Sequence, residues 1–264
     1  MGTASNRDQE NRMLHVHMLP DLVPHGELTD ATVVVIDVLR ATTTISAALA
    51  NGAHEIFPCP DLEKARQLAA EMEPRPLLGG EREGRKIDGF DLGNSPAEYG
   101  PEVVAGRQIV FTTTNGTRAM SAALDADRVL LGAFVNYSAV LDMLEHDENP
   151  VHLLCAGTSG EITQEDLLLA GALVEGLSDL GRIPANDVAL TALQAWRALP
   201  EENLVHALQE SHGGKNLQEL DFHEDIELAA ERDRWPVVGL LDQSTMTIRA
   251  AGSEQDIVDA ENSG

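Results

Sequence analysis

Short apolar runs rich in β-branched residues alternate with stretches of helical composition over the first two thirds of the chain. Strands are predicted for the runs at 32–37, 54–59, 108–112, 128–133 and 151–155. Helices are predicted at 44–51, 61–72, 116–124, 137–144 and 163–180, with Asp61 as the N-cap of the second. Alternation of this kind is typical of βαβ units, which form a largely parallel sheet with helices on both faces.

The last third of the chain has a different pattern. Helices are predicted at 187–199, 204–212 and 223–234, followed by two closing strands at 237–241 and 245–249, whereas the earlier segment 76–78 leads into a loop. We therefore expect a three-layer α/β/α fold with a largely parallel or mixed sheet and a helical C-terminal part with closing strands.

Four regions follow from the same pattern. They are a disordered polar N-terminal extension at 1–12, an α/β core at 13–180, a C-terminal helical and strand portion at 181–252 packed on that core, and a flexible acidic tail at 253–264.

Composition narrows the class of protein. The chain is 43% hydrophobic, which is typical of a globular protein. No run approaches the roughly 20 apolar residues that span a bilayer, and the first twelve residues lack the apolar stretch of a signal peptide, so we expect a cytoplasmic protein that contacts no membrane. A homodimer stays open.

The charge balance restricts the partners further. Forty-four acidic residues against eighteen Lys and Arg give a net charge of −26, which repels phosphate backbones and argues against nucleic-acid binding. A small anionic substrate would be repelled as well unless its pocket were locally positive, so the few arginines become informative.

Cysteines and histidines point to no special chemistry. Cys59 and Cys155 each end an apolar run and lack zinc-ligand spacing, so buried thiols are expected, with a catalytic cysteine as the alternative. Of the nine histidines only His15 and His17 are closely spaced, and we expect no histidine metal site. The GxxxxGK[ST] and GxGxxG motifs are absent, which disfavours a nucleotide-dependent enzyme or phosphotransferase.

Chemistry is expected beyond the carboxyl ends of the strands, where open α/β sheets bind ligands. After the first predicted strand, Asp37 could bind a metal or act as nucleophile, and Arg40 could hold an anion. Thr42, Thr43 and Thr44 would then bind substrate at a helix N-terminus. The structural alternative is that Asp37 caps the helix and the threonines are solvated.

A second threonine-rich segment follows the strand at 108–112. Substrate-binding roles are predicted for Thr113, Thr114, Asn115, Gly116 and Arg118, because the glycine permits close backbone approach and the arginine adds a fixed positive charge. A simple turn that caps a helix is the alternative.

Two glycine-containing segments complete the predicted site. Substrate-binding roles are predicted for Gly79, Gly80, Gly157, Thr158, Ser159 and Gly160. Glu81 and Arg82 join Asp37 and Arg40 as candidate catalytic residues. Mg²⁺ ligands are predicted from Asp37, Glu81, Glu161 and Asp166. The acids at 161, 165 and 166 could instead offset the dipole of the helix that they begin.

These segments resemble a known family. The stretches VVIDVLRATTTISAALANGA (34–53), GGEREGRKIDGFDLGNSPAEY (79–99), TTTNGTRA (112–119) and CAGTSGEITQEDLLLAGALVE (155–175) are similar to the ComB family, the 2-phosphosulfolactate phosphatases. The segment 216–238 resembles the family's C-terminal part, although Asp221 stands where a glycine is expected.

The resemblance implies a Mg²⁺-dependent acid phosphatase that converts 2-phosphosulfolactate, or a phosphate ester of another 2-hydroxy acid, into the hydroxy acid and phosphate. In some organisms that reaction belongs to coenzyme M biosynthesis. Two mechanisms stay open, namely metal-assisted attack by water and a covalent aspartyl-phosphate on Asp37, which lacks the usual DxD spacing. A non-catalytic anion-binding or regulatory protein with the same pocket is the alternative function.

Overall fold

The computed structural model describes residues 11–252, so most of the predicted N-terminal extension and all of the predicted acidic tail lie outside the described residues. The described part contains eleven strands and ten α-helices around one sheet. None of its helices is both long enough and apolar enough to cross a membrane.

All the predicted strands are present. The strands of the structure are β1 (Met13–His17), β2 (Thr32–Ile36), β3 (Glu55–Pro58), β4 (Leu77–Arg82), β5 (Arg85–Lys86), β6 (Gln108–Thr112), β7 (Arg128–Gly132), β8 (Val151–Cys155), β9 (Ile183–Pro184), β10 (Gly239–Asp242) and β11 (Thr247–Ala250). Of these, β1, β4, β5 and β9 are additional to the predicted ones.

The helices fill the connections between strands and most of the last third. They are α1 (Ala41–Ala50), α2 (Leu62–Glu71), α3 (Pro101–Val104), α4 (Asn115–Ala122), α5 (Tyr137–Glu145), α6 (Gln164–Asp179), α7 (Asp187–Arg197), α8 (Leu204–Glu210), α9 (His212–Glu219) and α10 (His223–Ala229). Short 3₁₀ turns lie at Pro20–Leu22, Pro96–Glu98, Phe134–Asn136 and Glu201–Asn203. Asp61 caps α2 as predicted, since its side chain accepts from the Lys64 N–H.

The sheet is mixed and has the order β5-β4-β6-β3-β11-β10-β7-β2-β8-β1-β9. One parallel set comprises β4, β6 and β3, and a second comprises β7, β2, β8, β1 and β9. The β10–β11 hairpin joins the two sets through antiparallel pairing on both sides, so the sets run in opposite directions. The predicted closing strands therefore lie in the middle of the sheet.

The two parallel sets share one apolar core. Val33 and Val35 of β2 belong to the same buried cluster as Ile109 and Phe111 of β6, together with Ile45 of α1. Asp37, which follows β2, lies against Gly116, which follows β6, although β2 and β6 are five places apart in the strand order, so the sheet is bent. This bend brings carboxyl ends together that a flat sheet would place at opposite edges.

Helices cover the outer face of each set. Val34 and Ile36 of β2 pack against Leu169 and Leu173 of α6, in a second buried cluster. A smaller cluster lies between β4, β6 and α2. The three-layer α/β/α architecture is thus confirmed, with helices on both faces of a mixed sheet.

The predicted loop after residue 76 is instead a strand. β4 runs through the Gly79-Gly80 pair and on to Arg82. A Cβ at Gly79 would overlap the Tyr99 hydroxyl, and one at Gly80 would overlap the Thr112 carbonyl. The glycines therefore permit close packing of β4 against its neighbours and do not form a flexible loop.

The backbone conformation of Asp221 explains why an aspartate can stand where a glycine is expected. Its backbone has φ +64°, the left-handed region that glycine enters without strain. Aspartate is among the residues that tolerate this region best, so the turn between α9 and α10 is kept.

Candidate active site

A pocket of about 570 Å³ lies where strands β2, β4, β6 and β8 end. It collects nine of the predicted site residues, namely Asp37, Arg40, Glu81, Arg82, Thr113, Thr114, Asn115, Thr158 and Ser159. The C-terminal part closes the other side with residues for which no site role was predicted, among them Gly213, Asn216, Leu217, Glu219 and Leu220. The bent sheet and the C-terminal helices thus form one cleft.

Asp37 lies at the N-terminal ends of two helices. Its Oδ1 accepts from the Ala41 N–H at 3.2 Å, at the start of α1. Gly116, at the start of α4, also donates its backbone N–H to the carboxylate. A Cβ at Gly116 would lie 2.9 Å from Asp37 Oδ2, so the glycine is required for this approach. Helix N-termini favour negative charge, and here two of them face one carboxylate.

Burial nevertheless affects the pKa of Asp37 more than these hydrogen bonds do. Burial, together with the negative charges of Glu81 and Glu165, raises the pKa of Asp37 to about 7. A carboxyl with this pKa is partly protonated at neutral pH, and a nearby cation would restore its charge. Strong perturbation of this kind is characteristic of functional sites.

Glu81 and Arg82 join the ends of β4 and β6. Glu81 uses both carboxylate oxygens, accepting from the Gly84 N–H at 2.8 Å and the Thr114 N–H at 3.2 Å. Arg82 donates to the carbonyls of Glu81 and Pro60 at 2.9 Å. Backbone carbonyls therefore hold both Nη atoms of Arg82, which lines the pocket.

Arg40 is held by an acidic partner that was not predicted. Its Nη1 lies 2.6 Å from Oδ2 of Asp225 in α10, and its Nη2 donates to the Gly84 carbonyl at 2.8 Å. The guanidinium also lies 4.3 Å from the centre of the Phe222 ring. Ser95 donates to the other oxygen of Asp225 at 2.6 Å. Arg40 lines the pocket, but most of its charge is offset by Asp225.

The three threonines of α1 lie beneath the pocket. Thr42 donates to the Asp37 carbonyl at 2.8 Å, Thr43 to the Val38 carbonyl at 2.7 Å and Thr44 to the Asn94 carbonyl at 2.9 Å. All three are buried. The hydroxyls of Thr42 and Thr43 hold the strand-to-helix turn that presents Asp37, whereas that of Thr44 ties α1 to the segment at residue 94.

The turn at 158–161 and the start of α4 form the rim on the side of β6 and β8. The backbone groups of Thr158 and Glu161 hydrogen-bond reciprocally, and the residues between them, Ser159 and Gly160, both have positive φ. Asn115 Oδ1 accepts from the Ser159 N–H at 3.0 Å. Gly157 lies one residue before this turn and donates to Asp166. The turn is thus fixed to the start of α4.

Arg118 does not line this pocket. Its Nη1 lies 3.9 Å from Asp21 Oδ2, and its Nε and Nη2 are buried without a hydrogen-bond partner among the described residues. The guanidinium packs beside Gly160 at the rim. Arg118 therefore lies beside the turn at 158–161 and not in the pocket itself.

The predicted metal ligands lie in different environments. The two carboxylate oxygens of Asp166 accept hydrogen bonds from the N–H groups of Val38 and Gly157. Glu161 is exposed and lies 3.5 Å from His212. Glu165, an acid for which both a helix-dipole role and magnesium binding were open, is buried, and its Oε2 has no hydrogen-bond partner among the described residues. Burial raises the pKa of Glu165 as well.

The pocket is richer in acids than in bases. Two arginines line it against four acidic residues, which are Asp37, Glu81, Glu83 and Glu219. A locally positive pocket, which the sequence suggested for an anionic substrate, does not match this lining, because Arg118 lies outside the pocket and Arg40 is paired with Asp225. An anionic ligand would need an additional positive charge here.

The mixed sheet and the strand-end pocket are typical of an α/β enzyme, and comparison with known proteins gives its class as a phosphoric monoester hydrolase. Residues 17–244 match the family model described as 2-phosphosulpholactate phosphatase, so the chain belongs to that family. This confirms the resemblance seen in the sequence.

Three relatives give the extent of the similarity. The chain is similar to a protein of Caldanaerobacter subterraneus subsp. tengcongensis, with 39% identity over 80% of this chain and 88% of the relative. For a protein of Symbiobacterium thermophilum the identity is 42%, over 80% and 91% of the two chains. For one of Carboxydothermus hydrogenoformans it is 36%, over 90% and 98%. All three are named probable 2-phosphosulfolactate phosphatase.

Proposed function

We propose that the protein is a Mg²⁺-dependent phosphatase that hydrolyses 2-phosphosulfolactate, or the phosphate ester of a related 2-hydroxy acid, to the hydroxy acid and phosphate. The proposal depends on Asp37, a buried carboxylate that two helix N-termini face in an acid-rich pocket. Such a pocket takes a highly anionic substrate only together with a cation.

The residues present fit a magnesium ion. Mg²⁺ is commonly held by one or two carboxylates, with substrate phosphate and water completing the octahedron. Asp37 and Glu165 suit this role, because burial raises the pKa of both and Glu165 Oε2 lacks a partner among the described residues. Glu81 and Asp166 each accept one backbone N–H at either carboxylate oxygen, and we assign them positioning roles beside the ion.

The ion, when bound, would offset charge on the phosphoryl oxygens. The remaining groups of the substrate need donors, and the pocket offers the Arg82 guanidinium with the side-chain amides of Asn115 and Asn216. We assign these three to the phosphoryl, carboxylate and sulfonate oxygens. Glu81 keeps Arg82 and the start of α4 at a fixed separation, so the donors are pre-oriented.

Hydrolysis of a substrate panel tests the proposal. We expect phosphate release from 2-phosphosulfolactate in Mg²⁺, loss of release in EDTA and recovery when Mg²⁺ is restored. Phospholactate and phosphoglycolate should react more slowly, and ethyl phosphate, which lacks the second anionic group, slowest of all. Measurable binding of these esters without phosphate release from any of them would favour the non-catalytic anion-binding protein.

The reaction's stereochemistry separates the two mechanisms. Direct attack by water is a single in-line displacement and inverts the configuration at phosphorus, whereas an aspartyl-phosphate on Asp37 requires two displacements and retains it. We expect inversion with a chiral thiophosphate ester in isotopically labelled water, because Asp37 is assigned to the metal. Retention, together with trapping of an acyl phosphate by hydroxylamine, would make Asp37 the nucleophile.

A further inference from the structure

Three histidines stack on one face of the sheet, away from the residues that line the pocket. His15 and His17 point to the same side of β1, and His152 of β8 is the register partner of His15. The rings of His15 and His152 are 4.5 Å apart and nearly parallel, and those of His17 and His152 are 5.2 Å apart. This arrangement needs the pairing of two strands that are far apart in sequence, so spacing along the chain does not show it.

Glu27 faces the end of this stack. Its Oε1 lies 4.0 Å from His15 Nδ1, and its side chain belongs to the turn between β1 and β2. The ligand atoms of His15, Glu27 and His152 all lie within 4.8 Å of one another. Within residues 11–252 no other three His, Cys, Asp or Glu side chains are grouped this closely.

We propose that His15, Glu27 and His152 form a binding site for a divalent transition-metal ion, with Zn²⁺ as the best match. Two imidazoles and one carboxylate form a donor set that Zn²⁺ accepts with its fourth position open to water. Mg²⁺ prefers oxygen ligands, so this site differs in chemistry from the phosphatase pocket.

His17 orients one of the ligands. Its Nε2 lies 2.9 Å from His152 Nδ1, which leaves Nε2 of His152 as the ring nitrogen for a metal ion. A ligating histidine whose other nitrogen is hydrogen-bonded has a defined tautomer and ring orientation. Burial lowers the pKa of His152 to about 3 and that of His17 to about 4, so both rings are neutral at pH 7, as ligands and their partners must be.

Small movements would complete the site. Zinc–ligand bonds of about 2.0–2.1 Å place tetrahedral ligand atoms about 3.4 Å apart, closer than the 4.8 Å limit seen here. His152 and His17 are buried, whereas His15 is 22% exposed and Glu27 is 38% exposed. His15 and Glu27 therefore have room to turn toward His152, and the ion would tie the turn that carries Glu27 to two strands of the sheet.

Calorimetric titration of the chelator-treated full chain with ZnCl₂ tests the site. Saturating Mg²⁺ is included so that the carboxylates of the phosphatase pocket are occupied. We expect one strong zinc equivalent for the wild type and at least a tenfold weaker affinity for both His15→Gln and Glu27→Gln. Zinc should also raise the unfolding temperature of the wild type but not that of either variant.

The exposed pair His146 and Glu145 provides a matched control. Its two side chains are 3.9 Å apart, which is nearly the separation of His15 and Glu27, but no third ligand joins them within the described residues. His146→Gln should bind zinc like the wild type. Equal zinc affinity for the wild type, His15→Gln and Glu27→Gln would overturn the proposal, as would the absence of a strong equivalent. Because Glu27 is a surface residue, its variant keeps the test valid if His15→Gln does not fold.

Discussion

Asp37→Asn should lower kcat by at least about a thousandfold and leave the fold intact. The asparagine oxygen can still accept from the Ala41 N–H, so the turn into α1 is kept. The substitution removes the negative charge that we assign to the metal and to the positioning of the phosphoryl group, a transition-state contribution typically worth several kcal/mol. Phosphate release at saturating Mg²⁺ and far-ultraviolet circular dichroism measure the two effects.

The same variant should be more stable than the wild type at pH 8 in the absence of metal. The folded pKa of Asp37 is about 7 against an ordinary value of 3.8, so the native state binds the proton more tightly than the unfolded state. Wild-type stability therefore falls as pH rises from about 4 to 7, by on the order of 2–4 kcal/mol, and Asp37→Asn removes this fall. Denaturant unfolding at pH 4, 6 and 8 measures it.

Exposed Asp142 of α5 offers the control for both measurements, because Asp142→Asn removes a charge on the surface. It should keep full activity and the wild-type dependence of stability on pH. Mg²⁺ at pH 8 should stabilise the wild type and this control but not Asp37→Asn. A fully active Asp37→Asn enzyme would show that the site assignment is wrong.

Asp225→Asn should destabilise the protein by about 3–5 kcal/mol. Asp225 and Arg40 are both nearly inaccessible, at 4% and 2% side-chain exposure, and removing one charge leaves the other buried without its counter-charge. For a chain of this size that loss lowers the unfolding temperature by roughly 6–20 °C. Because Arg40 lines the pocket, KM should also change. Calorimetry and steady-state kinetics measure these changes.

An exposed ion pair of the same length provides the comparison. Arg234 Nη1 lies 2.6 Å from Glu231 Oε2, the distance also seen between Arg40 and Asp225, but its side chains are 43% and 51% exposed. Glu231→Gln should cost less than about 1 kcal/mol, since exposed pairs are screened by water and salt. If Asp225→Asn and Glu231→Gln lowered the free energy of unfolding by similar amounts, burial would not explain the importance of the Arg40–Asp225 pair.

Local pattern predicted most elements because the signals for them are local. The β-branched run of β2 and the helical composition of α2 with its Asp61 cap are examples. β1 has the alternating pattern MLHVH, which is typical of a strand, but its two histidines leave few apolar residues to signal one. The helix predicted at 204–212 ends at residue 210, and the unpredicted helix α9 begins directly after it, because Ser211 caps α9 through the Gly214 N–H.

The site was predictable where its residues follow strand ends, and not where distant segments meet. Asp37, Glu81 and Thr113 line one pocket, as their positions suggested. The pairing of Arg40 with Asp225 joins residues 185 positions apart, and no local signal indicates it. Glu165 resembled a helix-capping acid by composition, and only its burial and unpaired oxygen distinguish it.

The central position of the β10–β11 hairpin has a consequence for the order of assembly. The ribosome releases the two parallel sets of strands before it releases the residues at 239–250 that connect them. Until then no strand of the described sheet links the two sets, and the bend that brings Asp37 close to Gly116 is not fixed by strand pairing. The cleft is therefore among the last parts of the molecule to form during synthesis, so partly synthesised chains do not carry a finished catalytic centre.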